Sequence, residues 1–137
     1  MKYLFYLKHF VIFILLLMYP LLNIPSSEGS IAIFLEMAKS DNKSIQLICV
    51  DYVEDHIKRW GSNEIILQTL DILVNNYREN PIIENGYVIN DFPDIRISAI
   101  NLLGILGTPE AYDILNEVLL FENNLEVLEA AQEVINK

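Results

Sequence analysis

The sequence predicts an all-α fold built from antiparallel helix pairs, in a chain of 137 residues. Three observations support this fold class. Apolar residues recur at the i, i+3, i+4, i+7 spacing that gives a helix one buried stripe. The connections between the helical blocks are short, which favours antiparallel packing of neighbouring helices. A nine-residue pattern also occurs three times along the chain, as expected for structural units that stack on one another.

The helical spacing begins near Ser30 and continues in six blocks to the end of the chain. Each block has enough members to form one buried stripe on a helix. The residues predicted to form these stripes are, block by block, Ile31, Phe34, Leu35 and Ala38; Ile45, Ile48, Cys49, Tyr52, Val53 and Ile57; Ile66, Leu70, Leu73, Val74 and Tyr77; Ile95, Ala99, Leu102, Leu103 and Leu106; Ala111, Ile114, Leu115, Val118 and Leu119; and Val127, Ala130, Ala131, Val134 and Ile135.

The residues between the blocks predict where helices begin and end. Thr108 before Pro109 is typical of an N-cap followed by proline at the first helical position, where its missing N–H costs nothing. Gly107 is predicted to end the preceding helix. Ser62 is predicted to cap another helix in the same way. A further helix is predicted to begin at residues 91–94, where acidic side chains favour the positive end of the helix dipole.

The internal repeat consists of three segments that superpose without gaps. They are "IQLICVDYV" at 45–53, "IRISAINLL" at 95–103 and "VLEAAQEVI" at 127–135. A branched aliphatic residue begins each segment. The fifth position is small in all three segments: Cys49, Ala99 and Ala131. A small side chain there is expected to let one helix approach its neighbour closely.

Residues 81–90, "PIIENGYVIN", interrupt the helical pattern with a predicted β-hairpin at about 82–89. Asn85-Gly86 is the pair favoured in a two-residue type I′ turn, which needs positive φ at both positions. One interpretation is that the hairpin folds down and covers an apolar edge of the helices. The other is that it projects and contacts a partner, because long loops in compact domains are often functional. The candidate partner-binding residues are Ile82, Ile83, Asn85, Gly86, Tyr87 and Ile89.

The first 29 residues differ in character from residues 30–137, which form the predicted helical domain. Lys2 and Lys8 are followed by an uncharged apolar run at 10–22 and then by small residues, the three parts of a secretory signal peptide. The run is short for a bilayer span. An uncleaved membrane anchor and a buried core helix are the alternatives. The expected location is therefore outside the cytoplasm, in the periplasm or cell envelope, with membrane contact only through residues 1–29 if they are retained.

Composition argues against nucleic-acid binding. The formal net charge is −10, from nine basic and nineteen acidic residues, and nucleic-acid binding requires clustered Lys and Arg. Cys49 is the single cysteine, so an intramolecular disulfide is impossible and the paired-cysteine zinc patterns are absent from the sequence. His56 follows Cys49 by two helical turns, too far for a shared metal or a nucleophile pair on one helix. We therefore expect a structural Cys49, no metal and no cofactor.

Two further groups of residues are explained by ordinary structural roles. Asp51, Glu54 and Asp55 are candidate paired carboxylates, but the last two are placed for i, i+4 ion pairs with Lys58 and Arg59 on a solvated face. The aromatic residues are predicted to pack in the core, because no basic residues are interleaved with them as in a nucleic-acid stacking platform. They are Tyr52, Trp60, Tyr77 and Tyr87. No catalytic residue is predicted.

The stretch "DFPDIRISAINLLGILGTPEA" resembles a HEAT repeat, in particular the short HEAT-like repeats of bacterial proteins and phycobilisome lyases. The matching positions are Asp91, Ile95, Arg96, Ala99, Leu103, Gly104, Gly107, Pro109 and Ala111. The match is specific over 91–121 and weaker elsewhere, since Gln46 occupies the place of the arginine in the earlier unit. The resemblance implies a short α-solenoid of about two and a half helix pairs. Arg96 is expected to be structural, bonding to carbonyls or to an acidic residue of an adjacent unit.

HEAT-like proteins mostly act as binding surfaces, so the resemblance implies a non-catalytic scaffold that binds a protein or peptide. One alternative is an accessory subunit of an enzyme, or a cofactor-handling protein like the lyases. A second alternative is a membrane-anchored structural protein. The last predicted helix has no partner after it. Either it is a cap that turns Glu126, Glu129 and Glu133 to water, or the chain is a short relative of longer arrays, or the open end pairs with another molecule.

Overall fold

Six helices and one two-stranded antiparallel sheet make up residues 32–137, the part of the chain described by this computed structural model. About 75% of the described residues are helical, so the prediction of an all-α fold with a small hairpin is confirmed. The predictions for residues 1–29 lie outside the described residues. The elements are α1 (Ala32–Ala38), α2 (Lys43–Trp60), α3 (Glu64–Glu79), β1 (Ile83–Glu84), β2 (Tyr87–Val88), α4 (Pro93–Leu106), α5 (Pro109–Phe121) and α6 (Leu125–Ile135).

The boundary between α4 and α5 has the predicted chemistry. Gly107 ends α4 in the left-handed conformation, with a φ of 58°, and its N–H donates to the carbonyl of Leu103. Thr108 caps α5, because its hydroxyl oxygen accepts a hydrogen bond from the N–H of Ala111 at 3.2 Å. Pro109 occupies the first helical position. Each of these three predictions is confirmed.

The predicted cap of α3 is wrong by one residue. Asn63, not Ser62, caps the helix, and its Oδ1 accepts from the N–H of Ile66 at 2.9 Å. Asparagine and serine are about equally good N-caps, so two such residues in succession do not show which will cap the helix. Asparagines also cap two other helices, Asn42 at α2 and Asn124 at α6.

Helix α4 lies at the centre of the described residues. It packs against α2, α3, α5 and α6, while α3 also packs against α1 and α5. The three small residues of the internal repeat, Cys49, Ala99 and Ala131, are fully buried. All three positions therefore lie in the core, as a close helix contact would require.

Helix α2 buries three of the six residues predicted for its core stripe, Cys49, Val53 and Ile57. The other three, Ile45, Ile48 and Tyr52, have exposed side chains. The stripe that α2 buries is Gln46, Cys49, Val50, Val53 and Ile57. Ile45, Ile48 and Tyr52 were predicted wrongly because α2 carries two adjacent apolar stripes, and spacing alone does not show which of them has a neighbour.

Close contact between α4 and α6 depends on Gly104. A Cβ at this position would overlap Cγ1 of Val134 and come within 3.3 Å of its Cγ2. We expect Gly104→Ala to lower the free energy of unfolding by about 1 kcal/mol, because the overlap outweighs the better helix propensity of alanine. Urea denaturation would measure this change. In a Val134→Ala background, the same substitution should become neutral or stabilising, and an unrelieved loss there would contradict the contact.

Candidate functional site

The hairpin is a two-residue turn between two very short strands. Asn85 has a φ of 52° and Gly86 a φ of 85°, so both turn residues have the positive φ that a type I′ turn requires. Ile83 pairs with Val88, and Glu84 pairs with Tyr87. Asn85 is the sole non-glycine residue with positive φ in the described part of the chain. The prediction of a hairpin with a two-residue turn at Asn85-Gly86 is therefore confirmed.

Asn90 fixes the base of the hairpin. Its side chain is buried, its Nδ2 donates to the carbonyl of Asn80 at 3.1 Å, and its Oδ1 accepts from the N–H of Ile82 at 2.9 Å. The N–H of Ile89 also donates to the carbonyl of Ile82 at 2.8 Å. Sequence reasoning missed Asn90, because its partners are eight and ten residues away and only the folded loop brings them together.

The tip of the hairpin projects into solvent with apolar side chains. Ile83 is 66% exposed and Tyr87 is 76% exposed, with Val88 and Ile82 also exposed. Of the six candidate partner-binding residues, Ile82, Ile83, Asn85, Gly86 and Tyr87 are exposed, while Ile89 is half-buried. Ile83 and Val88 pair on one face of the hairpin, and Tyr87 lies on the other face with Glu84. Exposed apolar side chains above a base held by hydrogen bonds suit contact with another molecule.

An open groove lies beside the base of the hairpin. It is lined by Lys39, Asn76, Asn80 and Ile82. The lining combines one cation, two amide side chains and one branched aliphatic residue. Amide side chains both donate and accept hydrogen bonds, so this groove has the groups needed to bind the backbone of an extended peptide.

A second open groove lies between α3 and α5, and its rim is acidic. Its lining residues are Glu64, Leu67, Gln68, Asp71, Glu110, Asp113 and Ile114. None of its four carboxylates forms an ion pair with a described residue. The uncompensated negative charge disfavours an anionic ligand at this groove.

Arg96 is the centre of a buried polar network, as its predicted structural role requires. Its guanidinium is 2% exposed, pairs with Glu122 through Nη1, and donates from Nη2 to Asp91 Oδ1 at 2.7 Å. Its Cζ lies 3.9 Å from the centre of the Tyr77 ring, a cation–π contact. The Tyr77 hydroxyl donates to Glu122 Oε2 at 3.1 Å, and burial raises the pKa of Tyr77. The network joins α3, α4 and the loop before α6.

Two residues could have nucleophilic or acid–base chemistry, Cys49 and His56, and the neighbours of both favour a structural role. Burial raises the pKa of the Cys49 thiol to about 12, so the reactive thiolate is suppressed at neutral pH. His56 lies between the rings of Phe34 and Trp60, at centroid distances of 6.5 and 5.1 Å. Among the described residues, no group of three or more ligating side chains is placed to hold a metal ion.

The acidic residues of α2 form the predicted surface ion pairs. Glu54 accepts from Lys58 at 2.6 Å, and Asp55 pairs with Arg59 at 3.0 Å. All four side chains are substantially exposed. Such pairs contribute little to stability, and carboxylates held this way are not gathered in a cleft for acid–base work.

The prediction that the aromatic residues pack in the core is wrong for three of the four. Tyr52 is 56% exposed, Trp60 is 69% exposed, and Tyr87 is at the hairpin tip. Tyr77 alone among them is partly buried, in the Arg96 network. Tyr52 and Trp60 belong to the second apolar stripe of α2, which the core leaves uncovered.

Comparisons of the chain with protein-family models, with curated proteins and with solved structures found no match. A search of the described helices for a membrane span also found none of sufficient length and apolar character.

Proposed function

We propose that this protein is a non-catalytic scaffold of the HEAT-like type that binds a protein or peptide segment, with the hairpin as its main contact. In this proposal the six helices stack as a short α-solenoid. The protein acts after export, as the sequence of residues 1–29 favours. The observation that carries the proposal is the apolar hairpin tip, which projects from a helical fold and has its base fixed by Asn90.

The helix contacts support the solenoid arrangement. Helix α4 contacts α2 on one side and α6 on another, and α3 likewise contacts α1 and α5. Contacts between helices two apart along the chain are expected when successive antiparallel pairs stack. The buried small residues at equivalent positions of α2, α4 and α6 support the same arrangement.

The chemistry of the hairpin supports a protein or peptide as the ligand. Exposed Tyr87 offers a large contact area with little side-chain entropy to lose, and the exposed pair Ile83 and Val88 adds aliphatic surface on the other face of the hairpin. The amide-lined groove at the hairpin base adds hydrogen-bonding groups beside it. Short strands with exposed edges can also pair with an extended segment of a partner.

The proposal is tested by replacing residues 83–88 with a short Gly-Ser linker, which keeps Ile82 and Ile89 at the hairpin base, and capturing partners from the cell envelope. We expect the captured proteins to be lost while helicity and melting temperature stay unchanged, because the hairpin tip is solvated. Capture that is undiminished by the replacement would refute the contact. A large fall in melting temperature would show instead that the hairpin belongs to the core.

A point substitution provides a matched control. Tyr87 on the hairpin and Leu120 on α5 are both 76% exposed, so serine at either position should leave the fold intact. Tyr87→Ser should weaken capture of the partner at least about tenfold, as for an aromatic interface anchor. Leu120→Ser should leave capture unchanged, and an equal loss in both variants would count against a specific role for the hairpin.

A further inference from the structure

The turn of the hairpin contains the sole Asn-Gly pair of the sequence, Asn85-Gly86. Such a pair is chemically reactive, because the backbone nitrogen of the residue after an asparagine can attack the carbon of the side-chain amide. A side chain on that following residue hinders the attack, and glycine has none. Whether the reaction occurs then depends on how the fold holds the two groups.

Both reacting groups are open to solvent. Asn85 and Gly86 are exposed, and a Cβ built at Gly86 would meet no atom within 4 Å. Neither the Asn85 amide nor the Gly86 N–H forms a hydrogen bond with a residue that the structure describes. A type I′ turn ties the residues that flank it, here Glu84 and Tyr87, and leaves the N–H of its second central residue unused. The attacking nitrogen and its target are therefore both available.

Four other asparagines are held away from this reaction. Asn42, Asn63 and Asn124 each accept a backbone N–H at a helix N-cap. Asn90 is buried and is bonded through both polar atoms of its amide. The residue that follows each of them carries a side chain. Hydrogen bonds and steric hindrance thus protect these four amides, and neither protects Asn85.

The hairpin tip also has the freedom that the reaction needs. Ring closure requires the peptide unit between Asn85 and Gly86 to turn toward the Asn85 side chain. Asn85 has a φ of 52°, a left-handed conformation that is unfavourable for a residue with a Cβ. Each strand that holds the turn has only two residues, so local opening of the tip costs little free energy.

We propose that Asn85-Gly86 is a self-modifying site whose co-reactant is water. The Gly86 nitrogen loses its proton and forms a bond to Cγ of Asn85, the bond from Cγ to Nδ2 breaks, and Nδ2 leaves as ammonia. The product is a cyclic imide. Water then opens the ring. Cleavage of the new bond to Cγ leaves aspartate, and cleavage of the original peptide bond leaves isoaspartate. No atom is oxidised or reduced.

The two products change the hairpin differently. Aspartate adds a negative charge next to Glu84 and keeps the length of the backbone. Isoaspartate places Cβ within the backbone, so the turn becomes one atom longer and no longer has type I′ geometry. We expect the pairing of Ile83 with Val88 to be lost in the isoaspartate form, because turn geometry sets the register of a hairpin. The hairpin thus has a lifetime that its own turn limits.

The test is peptide mapping by mass spectrometry of the full chain, purified from its own cells and aged in mildly alkaline buffer, in which the Gly86 nitrogen loses its proton more readily. We expect position 85 to gain about 1 Da and to contain both aspartate and isoaspartate. The reaction at Asn85 should be at least about tenfold faster than at Asn90, whose amide is released only when the loop opens. Isoaspartate shows that the ring formed, because direct hydrolysis of the amide gives aspartate alone.

Three results would overturn the proposal. They are an Asn85 amide that stays intact on ageing, a product without isoaspartate, and equal rates at Asn85 and Asn90. Asn85→Gly is the matched control, because Gly-Gly also forms type I′ turns and has no side-chain amide. It should keep the wild-type helicity and stay unmodified.

The effect on the hairpin is measured by nuclear magnetic resonance. Contacts between Ile83 and Val88 should fade in the aged wild-type chain as isoaspartate accumulates, and should persist in aged Asn85→Gly. Their persistence in the isoaspartate form would contradict the predicted loss of pairing. The consequence for binding rests on the function proposed above: the aged wild-type chain should capture less partner than aged Asn85→Gly. Undiminished capture by the isoaspartate form would refute the hairpin contact and leave the modification itself established.

Discussion

Replacing Glu122 with alanine is expected to lower the free energy of unfolding by roughly 3–5 kcal/mol, the largest effect among the substitutions considered. The Glu122 side chain is 4% exposed and pairs with Arg96, which is 2% exposed. Removing the carboxylate leaves the guanidinium buried, with Asp91 as its remaining acidic partner. The loss is large because Nη1 of Arg96 and the hydroxyl of Tyr77 both lose their buried acceptor, although Asp91 still binds Nη2.

The expected loss has a second component in the backbone. Glu122 Oε1 accepts from the N–H groups of Asn123 and Asn124, at 2.9 and 2.7 Å, and so orders the loop that leads into α6. Glu122→Gln keeps the shape and loses the charge, so we expect it to retain part of this stability. Guanidinium chloride denaturation followed by circular dichroism measures both variants.

The control for this prediction is a surface ion pair of the same type. Asp55→Ala breaks the pair with Arg59, in which both side chains are more than half exposed. It should cost less than about 1 kcal/mol. Similar losses of unfolding free energy for Glu122→Ala and Asp55→Ala would mean that burial does not increase the contribution of the Arg96 network to stability.

Replacing Ala99 with phenylalanine is expected to cost roughly 1–3 kcal/mol of unfolding free energy through overpacking. Ala99 is fully buried in α4, the helix that packs against four others. A benzyl group at this position has no space without moving one of these helices. Thermal and urea denaturation of the variant would give the loss.

Asn101→Phe tests the same helix two positions later, where the side chain is exposed. Asparagine and phenylalanine have similar helix propensities, so this change should cost little. Equal losses at the two positions would show that the orientation of α4 about its axis is wrong.

Features set by neighbouring residues in the chain were predictable. Asn85-Gly86 predicted the turn and hence the pairing of Ile83 with Val88, because the positive φ that a type I′ turn needs is a local property. Thr108 and Pro109 predicted the start of α5, because an N-cap and a proline at the first helical position are also local features of the chain. The candidate partner-binding residues followed from the turn, and most of them are exposed.

Features set by distant residues were not predictable. The partner of Arg96 is Glu122, 26 residues later, and no local pattern identifies it among nineteen acidic residues. The exposure of Tyr52 and Trp60 depends on whether a helix covers α2, and spacing along α2 does not contain that information. Asn90 was missed likewise, because its role depends on the folded path of the chain between Asn80 and Ile82.

The Arg96 network also bears on how the molecule unfolds. Helices at the end of a chain commonly fray, opening locally at little free-energy cost. Detaching α6 would disturb the loop that holds Glu122 against Arg96 and Tyr77. The buried guanidinium of Arg96 would then be exposed to water or would lose the Glu122 carboxylate. Local opening of the last helix is thereby coupled to the loss of α3 and α4. We therefore expect α3, α4 and α6 to open together, and not one after another from the last helix.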